Sequence, residues 1–180
     1  MEEDLTLEIK EKVEDVAEGN WSKYLAITTA IIAVLAALAS LQSGTFSNEA
    51  LLEKNNAILA QSKESDQWNY YQAKGIKKNL ADSFYQQTND SKLKQQVDKY
   101  AKEQEDIQKQ ALDYQKQVEE ANKRSEQLFG KHHKLAFAVT LFQIAISLSA
   151  ITALLKKRWL WYLSILLTIA GIYFSLVGLI

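Results

Sequence analysis

The sequence predicts an all-α integral membrane protein with three transmembrane helices and a long antiparallel helical hairpin, a coiled coil, between the first and second. Three observations predict it. Hydrophobic residues make up 47% and charged residues 24% of the 180-residue chain, yet the two classes are segregated: three apolar runs carry no charge, and the charges lie between them. A rhythm of four and three residues persists for about five heptads in the polar stretch. No proline occurs, and a chain without that breaker favours long helices.

Residues 1–20 form an acidic N-terminal segment that reads as an amphipathic helix, with Leu5, Ile9, Val13 and Val16 as its apolar stripe. Anionic lipids attract basic rather than acidic segments. A protein contact, for instance with the same segment of another copy, is one expectation for it, and a solvated tail is the other. Residues 21–43 form the first span, built on YLAITTAIIAVLAALASLQ at 24–42. About 20 apolar residues at 1.5 Å each cross a bilayer core of about 30 Å. Ala37, Leu38 and Ala39 resemble a signal-cleavage site, but the long acidic leader is unlike a short basic one. An uncleaved anchor is expected.

Residues 44–130 form a polar insert, bounded by Gly44 and Gly130 as Gly19 bounds the acidic segment. In its second half Leu93, Val97, Tyr100, Gln104, Ile107, Ala111, Tyr114, Val118, Ala121, Ser125 and Leu128 keep the heptad rhythm. Gln104 and Ser125 are polar interruptions that either fix register or weaken the seam. Asp98–Lys102, Glu105–Lys109, Glu119–Lys123 and Glu120–Arg124 place an acid four residues before a base, worth a few tenths of a kcal/mol each on a helix. In the first half Leu52, Leu59, Ala73, Ile76, Leu80 and Phe84 mark an apolar side. A turn is expected near 87–91, where Asn89 and Asp90 suit a reversal and Ser91 can cap the next helix. Arms of about 40 residues are about 60 Å long, and equal arms allow a return to the membrane. Pairing between protomers is the alternative. Residues 131–155 form the second span, 156–158 a basic loop, and 159–180 the third span. A chain of this length is too short to wrap three such helices as buried soluble ones.

The stretch SDQWNYYQAKGIKK at 65–78 is the densest in chemistry. On a helix Trp68, Tyr71 and Gly75 share one side, and Asp66, Tyr70 and Lys74 or Lys77 another. Glycine in a helix costs about 1 kcal/mol against alanine, so Gly75 points to close helix approach. Packing is the plain reading of this stretch, and a partner surface is the sharper one. The lysines read as solvating the face. It contains no His, Cys or glycine-rich loop, and so no recognisable reaction centre. The whole chain has no cysteine, which excludes thiolate metal sites and Cys nucleophiles. His132 and His133 are sequence neighbours, so they point apart on a helix and form no metal pair. They read as interface residues, with a pH-sensing role as the alternative. In the second span Thr140, Gln143 and Ser147 form a polar stripe with Ala150. Thr29, Ala33, Ala36 and Ser40 form a small-residue stripe on the first span, and Gly171, Ser175 and Gly178 one on the third. Such stripes let membrane helices approach; a pore lining is the alternative for the polar one, although no charged ring supports ion selectivity.

NEALL at 48–52, SDQWNYYQAKGIK at 65–77, TLFQIAIS at 140–147 and KKRWLWY at 156–162, together with the first span, resemble a bacterial membrane family, domain of unknown function 4337. The resemblance covers nearly the whole chain. It implies the same plan of anchor, coil and membrane hairpin, and brings no activity, substrate or catalytic residue.

Lysines and arginines near the spans favour the cytoplasmic side. Lys156, Lys157 and Arg158 fill the short loop, and Lys10, Lys12 and Lys23 precede the first span. These place the N-terminus and basic loop in the cytoplasm and the coil outside it, in a bacterial inner membrane. Lys123, Arg124, Lys131 and Lys134 argue the other way. Trp21 and Tyr24 fall at the same face as Trp159, Trp161 and Tyr162, an aromatic belt at headgroup level. A net charge of −1 gives no footprint for nucleic acid. The expected function is a homo-oligomeric membrane scaffold or interaction protein projecting a coiled-coil stalk, with no catalytic activity and no cofactor. Its expected partners are the lipid bilayer, other copies of itself, and an unidentified protein. The alternative is an oligomeric channel or transport component, its pore lined by the polar stripe of the second span.

Overall fold

The computed structural model contains three helices: α1, Glu2–Thr88; α2, Ser91–Leu155; and α3, Arg158–Leu179. It describes residues 2–180 as backbone and 21–180 with their side chains. The N-terminal stripe of Leu5, Ile9, Val13 and Val16 falls outside the described side chains. Among the described residues there is no strand. Three helices are long and apolar enough to cross a membrane.

Gly44 and Gly130 do not interrupt α1 and α2. A single interior glycine costs about 1 kcal/mol against alanine, too little to stop a helix with favourable turns on both sides. The chain reverses at Asn89 and Lys156, whose φ angles are 54° and 53°. Both sit in the left-handed region, which ends a helix by redirecting the backbone. The Asn89 N–H donates to the Tyr85 carbonyl at 2.8 Å, and the Lys156 N–H to that of Thr152 at 2.9 Å. Asp90, rather than Ser91, caps α2: its Oδ1 accepts from the Lys92 N–H at 2.9 Å. Asp90 is the last residue outside the helix, where a short side-chain acceptor meets an orphan donor of the first turn.

The chain divides into two compact units, Met1–Ser47 with Phe129–Ile180, and Asn48–Leu128. In the first, Ile32, Ala39, Ala138, Phe142 and Ala145 form a core, with Leu35, Leu167 and Phe174 packed on it. Small residues outnumber large ones in that interior, where Ile32, Leu135 and Phe142 are buried beside them, and many large apolar residues point outward. Gly171 and Gly178 are buried, whereas Leu38, Leu166 and Tyr173 are at least 60% exposed. A Cβ on Gly171 would stand 2.6 Å from the Phe142 ring, and one on Gly178 3.0 Å from Leu135 Cγ. These two glycines let α3 approach α2 closely.

In the second unit, every heptad-spaced position of α2 from Leu93 to Leu128 is buried or half-buried. On α1 the picture differs from the expected apolar side. Ala50, Ala57, Ala60 and Ala81 are buried, and Tyr71 and Gly75 half-buried, while Leu52, Leu59, Ala73, Ile76, Leu80 and Phe84 are exposed. The small residues win the inner face because they let the two backbones come close enough for side chains of α2 to reach carbonyls of α1. Contacts join Ala50 to Ser125, Lys54 to Asn122, Tyr71 to Gln104 and Lys74 to Glu103. Partner numbers fall on α2 as they rise on α1.

Candidate functional site

The stretch 65–78 is built into the second unit by two layers. In one, Trp68 and Tyr71 pack edge to face at 5.6 Å, and the Trp68 indole N–H donates to Glu64 Oε1 at 3.3 Å. Beside them Gln104 donates from Nε2 to the Tyr71 carbonyl at 3.2 Å. A Cβ on Gly75 would lie 2.8 Å from that same nitrogen. The glycine therefore makes space for the amide, and the amide supplies the hydrogen bond.

In the other layer Lys74 Nζ stands 2.6 Å from Glu103 Oε2, with its ammonium over the rings of Tyr70 and Tyr100. The hydrogen bond to Glu103 raises the Lys74 pKa, helped by Tyr70, and the same bond lowers that of Glu103. Lys74 thus leaves the solvated face on which the sequence places it and turns inward. Asp66 and Tyr70 are exposed, as is Lys77.

Further along this unit Ser125 is buried and donates from Oγ to the Ala50 carbonyl at 2.9 Å. Arg124 reaches Glu53 at 3.0 Å, and Lys54 donates to Asn122 at 2.8 Å. Of the four expected acid–base pairs on α2, Glu105–Lys109 and Glu120–Arg124 are formed, at 2.8 and 3.8 Å.

In the first unit the polar stripe of Thr140, Gln143 and Ser147 is exposed. Thr140 and Ser147 return their hydroxyl protons to the carbonyls of Ala136 and Gln143. The inner face of α2 carries Ser149 and Thr152 instead. The Ser149 hydroxyl is 3.2 Å from that of Ser164 on α3, also buried. This pair escapes a search for polar stripes, because it continues the same four-three rhythm through Leu135, Phe142, Ser149 and Thr152 into the apolar run.

The expected aromatic belt divides. Trp159 and Tyr162 are exposed. Trp161 turns inward and donates its indole N–H to Thr28 Oγ1 at 3.1 Å. The Arg158 guanidinium lies 5.9 Å from the Trp21 ring centroid. Lys157 is exposed and precedes α3 without a side-chain cap. Lys156 makes the left-handed turn.

His132 has a partner that sequence reading missed. Its Nδ1 is 2.9 Å from the Ser43 carbonyl oxygen and 3.0 Å from the Ser43 hydroxyl. The tautomer with its proton on Nδ1 donates to that carbonyl, and the other accepts from the hydroxyl. His133 instead stacks on Phe129 at 6.4 Å. Among the described residues, no group of His, Cys, Asp and Glu is placed to hold a metal ion.

No curated protein and no solved structure matches the chain. A family model, Domain of unknown function (DUF4337), matches residues 21–180. That match takes in α1 from residue 21 onward, all of α2 and α3, and both packing layers of the 65–78 stretch, and the chain belongs to this family.

Proposed function

We propose that this protein is a homo-oligomeric membrane scaffold or interaction protein. Its apolar unit lies in the bilayer as three spans. Residues 44–130 project as an antiparallel helical hairpin, a coiled coil, and meet other copies or a partner protein. The observation that carries this reading is the inverted packing of the apolar unit. Glycine, alanine and serine share its interior with a few large side chains such as Ile32, Leu135 and Phe142, while Ile27, Ile31, Val34, Leu38 and Leu41 of α1 face outward. Water would make that outward face costly, and lipid tails make it neutral. The second unit supports the stalk: its interface is made of packed side chains, amide-to-carbonyl bonds and one inward ion pair, and no reaction centre enters the reading. The basic loop and N-terminus lie in the cytoplasm and the stalk on the other side, in a bacterial inner membrane.

One observation favours a channel as a second reading. Thr140, Gln143 and Ser147 share an outward face at membrane depth, and the Gln143 side-chain amide enters no hydrogen bond among the described residues. An amide in hydrocarbon needs a partner, from another copy or from pore water. Native mass spectrometry of the full chain in lipid nanodiscs tests the main reading. A defined oligomer supports it, and a monomer sinks both readings. Gln143→Leu separates them. A scaffold changes assembly at most, whereas a pore changes ion flux in proteoliposomes.

A further inference from the structure

Residues 48–88 of α1 carry a second periodic face, directed away from α2. Leu52, Leu59, Ile76 and Leu80 lie on it, each between 57% and 69% exposed, with Phe84 at its edge. These side chains fall on the four-three spacing of a coiled-coil seam, which asks for one apolar partner along its whole length. Nothing in the second unit covers them. The partner is indicated by what else lies on the seam. Asn55, Ser62 and Asn69 recur every seven residues, and all three are exposed. An amide offers a donor and an acceptor together, and so does a hydroxyl. Each is therefore complementary to an identical group at the same height.

We propose that this face docks the same face of a second copy, parallel and in register. Charge decides the direction. Lys63 and Lys77 occupy one flank of the seam, with the Lys63 ammonium also over the Tyr114 ring. The opposite flank carries Ile58 and Gln72, without charge. In a parallel pair the lysines of one copy face those neutral residues of the other. In an antiparallel pair Lys63 meets Lys77 of the other copy twice, and the leucine row faces the row of Asn55, Ser62 and Asn69. Copies inserted the same way into one bilayer also run α1 in the same sense. Asp66 is the seam position that resists pairing, because its carboxylate faces the same carboxylate of the second copy. Polar seam positions set register at a cost in stability, and Asp66, the charged one among them, keeps the association reversible.

The inference rests on the homo-oligomeric reading and gives it a surface. The chain has no cysteine, so single-cysteine variants report contacts directly. Asn55→Cys and Ile76→Cys, in the full chain in liposomes, should each form disulfide-linked dimers on mild oxidation. Lys116→Cys, exposed on α2, should form several-fold fewer. Asp66→Asn should raise the dimer yield at Ile76→Cys several-fold, and Leu59→Glu should lower it as much. The native helix content should hold in all of them, since these side chains are exposed in the single chain. Linkage of Ser62→Cys to Leu80→Cys between co-expressed variants, without self-linkage of either, would mean antiparallel pairing and overturn the proposal. A defined oligomer by native mass that links at neither position, and ignores Leu59→Glu, would also overturn it and leave assembly to the spans. A monomer would remove the homo-oligomeric reading as well.

Discussion

The side-chain nitrogen of Gln104 occupies space that a β-carbon on Gly75 would enter, at 2.8 Å. From there it donates to the Tyr71 carbonyl at 3.2 Å. The glycine and the glutamine are one device made from two helices. Replacing either alone strands the other. Gly75→Ala gains about 1 kcal/mol of helix propensity. It pushes the amide off its acceptor, which costs about as much. The single variant should therefore melt within a few degrees of the parent. Gly75→Leu, with no room for its branches, should lower the melting temperature clearly. Gly75→Ala combined with Gln104→Ala should not add up. The double variant should be more stable than the sum of its singles by about 1 kcal/mol. Thermal unfolding followed by circular dichroism measures all four. Additive effects would separate the two residues.

The Lys74–Glu103 pair predicts a pH dependence with a defined sign. The bond to Lys74 holds Glu103 below its ordinary value of 4.5. Its stabilisation is therefore complete above that value and is lost as pH falls through the lowered one. Lys74 is raised above its ordinary 10.5, so its stabilisation is complete below that value and is lost as pH rises further. Between these limits the pair contributes a flat term. The difference in melting temperature between the parent and Glu103→Gln should be constant near neutral pH and shrink on acidification below 4.5. A difference that stays constant to low pH would mean that the pair does not form. Glu105, lowered by its bond to Lys109, titrates in the same range in both proteins and cancels from the comparison.

Much of this was legible in the sequence, and for a stated reason. The three apolar runs are signals of length and the heptad rhythm of α2 is one of period, and both survive without a structure. Gly75 was readable as a close approach because glycine in a helix needs a reason. The inner face of α1 was not legible. The strongest apolar residues there, Leu59, Ile76 and Leu80, point away from α2. Hydrophobic strength marks a face without saying which neighbour it meets. The small residues Ala50, Ala57 and Ala81 form the interface because distance, rather than hydrophobicity, is what they provide. The same inversion hid Ser149 and Ser164. A sequence stripe draws the eye to Gln143, the most polar residue of its span, while the buried hydroxyls of Ser149 and Ser164 sit among apolar neighbours and look incidental.

Ser125 should be sensitive to size more than to polarity. It is 2% exposed, against an Ala50 that is fully buried, and its hydroxyl bonds the Ala50 carbonyl. Ser125→Ala removes one hydrogen bond from an acceptor that α1 already satisfies, so the loss should be about 1 kcal/mol. Ser125→Leu adds the apolar volume that heptad patterning favours, yet has nowhere to put it. Overpacking of a tight interior costs about 1–3 kcal/mol. Leucine should therefore be worse than alanine here, the reverse of what hydrophobic patterning expects. Equal or greater stability of Ser125→Leu would show that the two helices separate easily at this point.

The closest test of the apolar unit is Gly171. A Cβ there would stand 2.6 Å from Cε1 of Phe142, and the ring is itself 1% exposed. The ring has no free space to move into, so the helices must part. Helices in lipid associate by van der Waals fit and hydrogen bonds, without a hydrophobic drive between them. Parting them also strains the Ser149–Ser164 hydroxyl contact, which spans the same pair of helices. Gly171→Ala should cost about 1–3 kcal/mol, and Gly171→Val more, despite the higher hydrophobicity of both. Phe142→Leu gives up the ring atoms that a new Cβ would strike. Alone it should be destabilising, by leaving a void where the ring packs. Added to Gly171→Ala it should recover part of the loss. Melting of the purified full chain in a mild detergent reads the four proteins side by side. Recovery in the double variant ties the glycine to the ring, whereas a simple sum of losses would place the constraint on Gly171 elsewhere in the bundle.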